Sequence, residues 1–319
     1  MCADGVTAQS RWPASVVTYR EWVGVGGVLV VFAIIYVGAL HLVTPVRGTG
    51  VGTGGGTDDP RIGAGYVVVL LVATAAMLVA FKRGYAWIIR ASIIVIAVGI
   101  SFVVLAMLLP PVAIIGGFPL VPAAAAIGLG MVLALRPRWY VLDVTGVLMG
   151  VGAVAVFGIV LGIRPVLVLL VLLAIYDVIA VYGTKHMISL ADSAMRDRLP
   201  VLLIIPLPGG ARSEAPAEQT GHRDALIIGL GDAVIPGMLV ASAVVHGPGQ
   251  VHTIAGIAVS APAVGAVIGI LLGLVALFTV FERGRPHPGL PALNGGAIAG
   301  YLVGALLVGI SIPQAIGVA

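Results

Sequence analysis

Long apolar segments separated by short polar ones make up most of the 319-residue chain. A helix needs about 20 apolar residues to cross the hydrocarbon core of a bilayer. Nine segments approach or exceed that length, so the pattern predicts an all-α polytopic membrane protein with about nine transmembrane helices. The predicted spans are residues 23–43, 63–81, 85–109, 120–135, 141–163, 165–184, 225–246, 254–281 and 290–312. The fourth is short, and the eighth is long enough to be tilted or broken.

The longest hydrophilic stretch, residues 186–224, divides the predicted bundle into two parts. It is rich in Pro, Gly and charged residues, and the apolar run inside it is too short to cross a membrane. We therefore divide the chain into membrane helices 1–5 (residues 1–164), helix 6 (165–185), this hydrophilic loop and helices 7–9 (225–319). Helices 1–5 are predicted to be scaffold.

The composition agrees with a membrane location. Hydrophobic residues make up 60% of the chain and charged residues 9%, which excludes an ordinary soluble domain. The net charge of +4 comes from basic residues spread over short loops, so no nucleic-acid partner is expected. The single cysteine, Cys2, excludes an intrachain disulfide, and the histidines lack the spacing of a metal site. We expect neither a metal nor another cofactor.

The distribution of Lys and Arg predicts the orientation of the chain in the membrane. If the N-terminus is cytoplasmic, only Arg47, Arg61 and Arg164 of the 17 basic residues fall outside, which leaves 14 inside. Cytoplasmic loops of membrane proteins carry such an excess. We therefore predict a multi-pass cell-membrane protein with a cytoplasmic N-terminus, a cytoplasmic loop at 186–224 and a C-terminus outside.

Only two of the 13 acidic residues, Asp177 and Asp232, lie deep inside apolar segments. A carboxylate at the bilayer centre costs about 2.5–3.5 kcal/mol even on lenient scales, so such residues indicate function. At about 1.5 Å per residue, Asp177 lies about 12 Å from the inner end of its span and Asp232 about 10 Å from the inner end of the next. In antiparallel helices the two carboxylates are then expected at one depth.

Two carboxylates at one depth can share a proton, because like charges a few ångströms apart resist joint ionisation. Such a pair can take a proton from a water and donate one to a leaving amine, which is aspartic peptide hydrolysis. The neighbouring residues suit this chemistry. Gly229 and Gly231 allow close approach of another backbone, and Pro236 lacks the N–H that would bond the carbonyl of Asp232.

Three motifs resemble those of presenilins and signal peptide peptidases, which are GxGD intramembrane aspartyl proteases. The sequence YD at 176–177, followed by VYGT at 181–184, is similar to their sixth helix. The sequence GLGD at 229–232 looks like their GxGD segment, and PAL at 291–293 resembles the PAL motif that opens their last helix. All three occur in the order of that family, in the sixth, seventh and ninth predicted spans.

The resemblance implies a presenilin-like bundle that cleaves transmembrane helices or signal-peptide remnants inside the lipid bilayer, with Asp177 and Asp232 as the catalytic pair. The residues it implies for shaping the site or binding substrate are Tyr176, Gly229, Leu230, Gly231, Pro236, Pro291, Ala292 and Leu293. The short chain is most similar to a minimal archaeal presenilin-type homologue, which needs no accessory subunits and is compatible with an oligomer.

Other functions fit parts of the pattern. A secondary transporter that uses Asp177 and Asp232 as proton- or cation-coupling sites also places acids beside Gly and Pro in broken helices, but we find no repeat relating the two acidic segments. A prepilin-peptidase-type enzyme has a GxGD segment but no PAL segment before a last helix. The orientation of the substrate stays open, because the motifs are most similar to signal peptide peptidases whereas a cytoplasmic N-terminus is typical of presenilins.

Overall fold

A computed structural model of the chain describes residues 19–48, 58–109, 114–115, 118–184, 201–208, 225–280 and 288–318. Nine long helices and one short helix dominate this part of the chain. The helices are α1 (Tyr19–Gly48), α2 (Pro60–Lys82), α3 (Ala86–Leu108), α4 (Leu120–Leu135), α5 (Trp139–Val160), α6 (Ile163–Ile179), α7 (Leu230–Val245), α8 (Ala261–Val280), α9 (Leu290–Leu307) and the short α10 (Ile312–Ala315). The strands are β1 (Ile114–Ile115), β2 (Phe118–Pro119), β3 (Leu202–Pro206), β4 (Ala225–Gly229), β5 (His252–Ile254) and β6 (Ile257–Val259), paired in sequence order as three antiparallel two-stranded sheets.

The helices confirm the predicted polytopic membrane fold. Within the described residues, seven are long and apolar enough to cross a membrane: α1, α2, α3, α5, α6, α8 and α9. The other two long helices, α4 and α7, are also apolar but have only 16 residues each. Since a straight crossing takes about 20 residues, α4 and α7 need their flanking non-helical residues to complete a span.

The predicted seventh span, residues 225–246, begins as a strand. Its first five residues form β4, which pairs with β3, and α7 begins only at Leu230. The predicted division that starts helices 7–9 at residue 225 is therefore wrong at this boundary, and strand β3 lies inside the predicted loop. A short apolar run fits a strand as well as a helix, and Ile227 and Ile228 favour the strand. The rest of the loop, residues 186–200 and 209–224, lies outside the described residues.

The predicted eighth span, residues 254–281, also begins later than its hydropathy indicates. The hairpin of β5 and β6 precedes α8, which begins at Ala261. The turn of this hairpin contains Gly256 with a φ angle of 80°, a conformation that glycine adopts without steric cost. Of the two predicted alternatives, tilted or broken, the structure shows a break, because a hairpin precedes the helix.

The core of the bundle lies between α1, α5 and α7, which pack against one another. Phe32, Ile35 and Tyr36 of α1 are fully buried in this core. By contrast, only 6% of the residues in the apolar part of α2 are buried. This helix packs mainly against α6. Helix α2 is therefore a peripheral helix whose apolar side chains are available to lipid.

Helices α8 and α9 approach each other backbone to backbone. Glycines spaced by four residues line both helices, and a Cβ atom on any of them would collide with the backbone of the other helix. These glycines are Gly265, Gly269 and Gly273 of α8 and Gly296, Gly300 and Gly304 of α9. The close contact makes the two helices one unit, which carries the PAL segment at the start of α9.

Candidate active site

Asp177 lies near the end of α6, where the helix changes into a π-helical turn formed by Ala180–Thr184. Its side chain is buried, with 3% of the residue exposed. One carboxylate oxygen, Oδ2, accepts a hydrogen bond from the backbone N–H of Leu290 at 3.0 Å, and the N–H of Gly289 also faces the carboxylate. Single π turns inside α-helices are frequent at functional sites.

The PAL segment explains why these two N–H groups are available. The first N–H groups of a helix have no partner inside the helix and carry partial positive charge. Pro291 occupies the first turn of α9, where a missing N–H costs nothing and the fixed φ angle favours a helix start. Ala292 packs its backbone against Gly273, and Leu293 is buried in the core. The segment thus fixes the helix start that faces Asp177.

Asp232 lies just after a junction at which strand β4 continues directly into helix α7. Gly229 ends β4 and is the N-cap of α7, and Asp232 is the third residue of the helix. Its carboxylate faces the N–H of Gly229, as the third helical residue does in a capping box. Leu230 is buried in the core, whereas Gly231 is exposed and Asp232 is partly exposed.

The structure brings the two aspartates together by packing α6 against α7. Their carboxylates are close enough to interact electrostatically. The predicted depth of Asp232, about 10 Å at a helical rise of about 1.5 Å per residue, is wrong, because residues 225–229 are extended in β4 and an extended residue rises about 3.3 Å. Two facing carboxylates of unequal exposure can hold a water and share a proton.

Two other predicted site residues lie near the pair. Pro236 is buried inside α7, which continues through it without a break; the carbonyl of Asp232 therefore has no N–H partner four residues later. Tyr176 is half-buried in α6, and within the described part of the chain it makes no hydrogen bond to either carboxylate. Its position beside Asp177 in the chain does not bring its hydroxyl to the pair.

A further residue of the site, Tyr36 of α1, was not identified from the sequence. Its hydroxyl donates a hydrogen bond to the carbonyl oxygen of Ala233 at 3.0 Å. Ala233 follows Asp232 in the chain, and the hydroxyl is close enough to Asp232 to interact with it electrostatically. Its ring occupies the space left by Gly237, where a Cβ atom would lie 2.7 Å from Tyr36 Cε1. The only sequence signal was a hydroxyl in an apolar span, which must find a partner when buried.

Comparison with known proteins decides the family. The sequence profile described as signal-peptide peptidase, presenilin aspartyl protease matches residues 29–310. The chain belongs to this family. The match extends from within α1 to just beyond α9, so it also includes the helices before α6, which contain none of the three motifs. A comparison with curated protein sequences gives no match.

Solved structures agree with this membership. Two structures of a presenilin family intramembrane aspartate protease, in the C222 and P2 space groups, are each 32% identical in sequence to this chain, with a TM-score of 0.61. The similarity covers 89% and 88% of this chain and 99% and 97% of those chains. The protein is therefore a multi-pass intramembrane aspartyl protease of the presenilin family.

Proposed function

We propose that this presenilin-family protein hydrolyses peptide bonds within the transmembrane segments of membrane proteins, including signal-peptide remnants, with Asp177 and Asp232 as a GxGD-type catalytic pair. The observation that carries the proposal is a convergence of three separate parts of the chain. The end of α6, the strand-to-helix junction before α7 and the start of α9 all meet at these two carboxylates.

The proposed mechanism uses a water held between the two carboxyl groups. The ionised member takes a proton from the water, whose oxygen attacks the peptide carbonyl carbon, while the protonated member donates its proton to the carbonyl oxygen. The resulting tetrahedral intermediate collapses when one of its hydroxyl groups gives its proton to the ionised member, its C–N bond breaks and the nitrogen receives the proton of the other member. Each turnover consumes one water and returns the pair to a singly protonated state.

An extended substrate has a place to bind beside Asp232. The N–H of Leu230 donates to the carbonyl of Val201 at 2.8 Å. In an antiparallel ladder, hydrogen-bonded pairs of residues alternate with pairs that are not hydrogen-bonded. Every second pair of β3 and β4, counted from Leu230 and Val201, is therefore hydrogen-bonded. The backbone groups of Ile227, which lies between such pairs, therefore point away from β3. Among the described residues no strand covers that edge, and an extended peptide can add to it.

Purified protein without accessory subunits, reconstituted in liposomes with a tagged transmembrane peptide, tests the proposal. We expect two fragments whose junction lies inside the apolar span, and cleavage in ¹⁸O-water should label the new carboxyl terminus, because water is the nucleophile. Asp177→Asn, which keeps an oxygen to accept the Leu290 N–H, serves as the inactive control. Intact peptide after incubation with the wild type, or equal cleavage by the control, would reject the proposed activity.

A further inference from the structure

Asp143 is an acidic residue of α5 to which the two-aspartate mechanism gives no role. It is in the second turn of α5 and is only partly exposed. Its Oδ1 atom accepts a hydrogen bond from the backbone N–H of Ile204 at 2.7 Å. Ile204 is the central residue of β3, so this carboxylate binds the strand that pairs with β4.

The register of the hairpin shows which edge Asp143 covers. Ile204 lies opposite Ile227, between two hydrogen-bonded pairs of the ladder, so its N–H points away from β4. Pro206, two residues along, faces the same outer edge and has no N–H to offer. A proline on an outer strand and a neighbouring group that binds its outward N–H both prevent a further strand from pairing there.

Strand β4 is capped differently, because on its outer edge the N–H of Gly229 faces the carboxylate of Asp232. Its residues Ala225–Gly229 contain neither a proline nor a charged side chain, and in the part of the chain that the structure describes no carboxylate accepts the N–H of Ile227. This edge runs directly into Asp232. The hairpin is therefore capped on the β3 side and open at Ile227 on the β4 side.

We infer that Asp143 is a positioning residue for proteolysis, which caps the β3 edge so that an extended substrate pairs with β4 alone and in one register relative to Asp232. This inference rests on the proposed function, since it requires a peptide substrate. Asp143 touches no reacting atom and acts through β3 and β4. A slip of the substrate by one residue would reverse which side chains face the site and move the cleaved bond.

The test compares Asp143→Leu, which keeps the branching at Cγ but has no acceptor, with Asp143→Asn, which keeps an oxygen acceptor. Thr145→Val is the matched control, because the Thr145 hydroxyl donates within α5 to the carbonyl of Val141 rather than to a group of β3. Mass spectrometry of the fragments gives the cleaved bonds, and initial rates give kcat and KM separately. A purely structural role would change the yield of folded protein but not the position of cleavage.

We expect Asp143→Leu to spread cleavage over neighbouring bonds and to lower kcat/KM about tenfold, while Asp143→Asn and Thr145→Val cleave at the wild-type bonds. Unchanged cleavage positions in Asp143→Leu, or an equal shift in Asp143→Asn, would overturn the inference. Hydrogen exchange at the Ile204 amide needs no substrate and should be faster in Asp143→Leu than in the wild type. Equal exchange would also overturn it, whereas failure of the wild type to cleave any peptide would count against the proposed function alone.

Discussion

Each proposed catalytic aspartate faces backbone N–H groups at the start of a helix. Asp177 accepts the N–H of Leu290 at the start of α9, and Asp232 faces the N–H of Gly229 at the start of α7. These N–H groups are present whatever the side chains are, and their positions depend on where each helix begins. A substitution of either aspartate by asparagine therefore keeps an acceptor for the N–H group while removing the shared proton.

Tyr36→Phe tests the role of the buried hydroxyl at the site. The substitution keeps the ring that packs on Gly237 but removes the hydrogen bond to the Ala233 carbonyl. A buried hydrogen bond contributes about 1 kcal/mol, so we expect the cleavage rate to fall about fivefold to tenfold, with the melting temperature lowered slightly. The measurement is kcat on the tagged transmembrane peptide. A rate equal to that of the wild type would show that Tyr36 does not position Asp232.

Some of these residues could be predicted from the sequence, and others could not. Asp177 and Asp232 could be, because a carboxylate inside an apolar span is costly and therefore indicates a function. Tyr36 and Asp143 could not be, because their partners are backbone atoms of Ala233 and Ile204. Backbone atoms have no sequence signature, so such a contact becomes apparent only after the chain is folded.

At the scale of the elements, the strand-to-helix junction before α7 gives Asp232 its position. Hydropathy predicted a membrane segment over residues 225–246 but did not separate β4 from α7, since an apolar strand and an apolar helix satisfy the same pattern. The pairing of β4 with β3 decides the outcome, and this partner lies more than a dozen residues away, inside the predicted loop. Local sequence therefore located the segment but not its conformation.

The glycine contact between α8 and α9 predicts a large difference between two adjacent substitutions. Gly296→Leu would place a side chain against the backbone of Gly269, whereas a Cβ atom at Gly295, which is exposed, would meet nothing within 4 Å. We expect Gly296→Leu to destabilise the protein by about 1–3 kcal/mol or more and to abolish cleavage, because the start of α9 moves away from Asp177. Gly295→Leu should retain stability and activity.

Thermal melts and peptide cleavage of these two variants provide the measurement. A Gly296→Leu protein that melts and cleaves like Gly295→Leu would contradict the role assigned to the contact between α8 and α9.

At the scale of the whole molecule, segments that the distribution of Lys and Arg predicts to lie outside the cell are found together at one end of the bundle. Arg164 lies 3.7 Å from Asp58 and donates a hydrogen bond to the carbonyl of Ile316 at 3.4 Å. A cavity of about 270 Å³ lies among Asp58, His246 and Gln314. The C-terminal residues and the segment before α2 therefore lie at the same end of the bundle, as nine crossings require.

The predicted orientation is tested with single cysteines in a protein whose Cys2 has been replaced by serine. Gln314 and Pro208 are both exposed, but the former is expected outside and the latter in the cytoplasm, because most Lys and Arg residues are expected inside. An impermeant thiol reagent should label Gln314→Cys in intact cells and should label Pro208→Cys only after lysis. The reverse pattern would invert the topology.

The activity of three aspartate variants tests the central claim most directly. Asp177→Asn, Asp232→Asn and the double variant are purified, checked for wild-type melting, and compared for cleavage of the same transmembrane peptide. Because two carboxyls that share a proton act as one unit, we predict that each single variant falls to the same background as the double variant. Cleavage by either single variant that is measurably above that of the double variant would contradict the assignment of the pair.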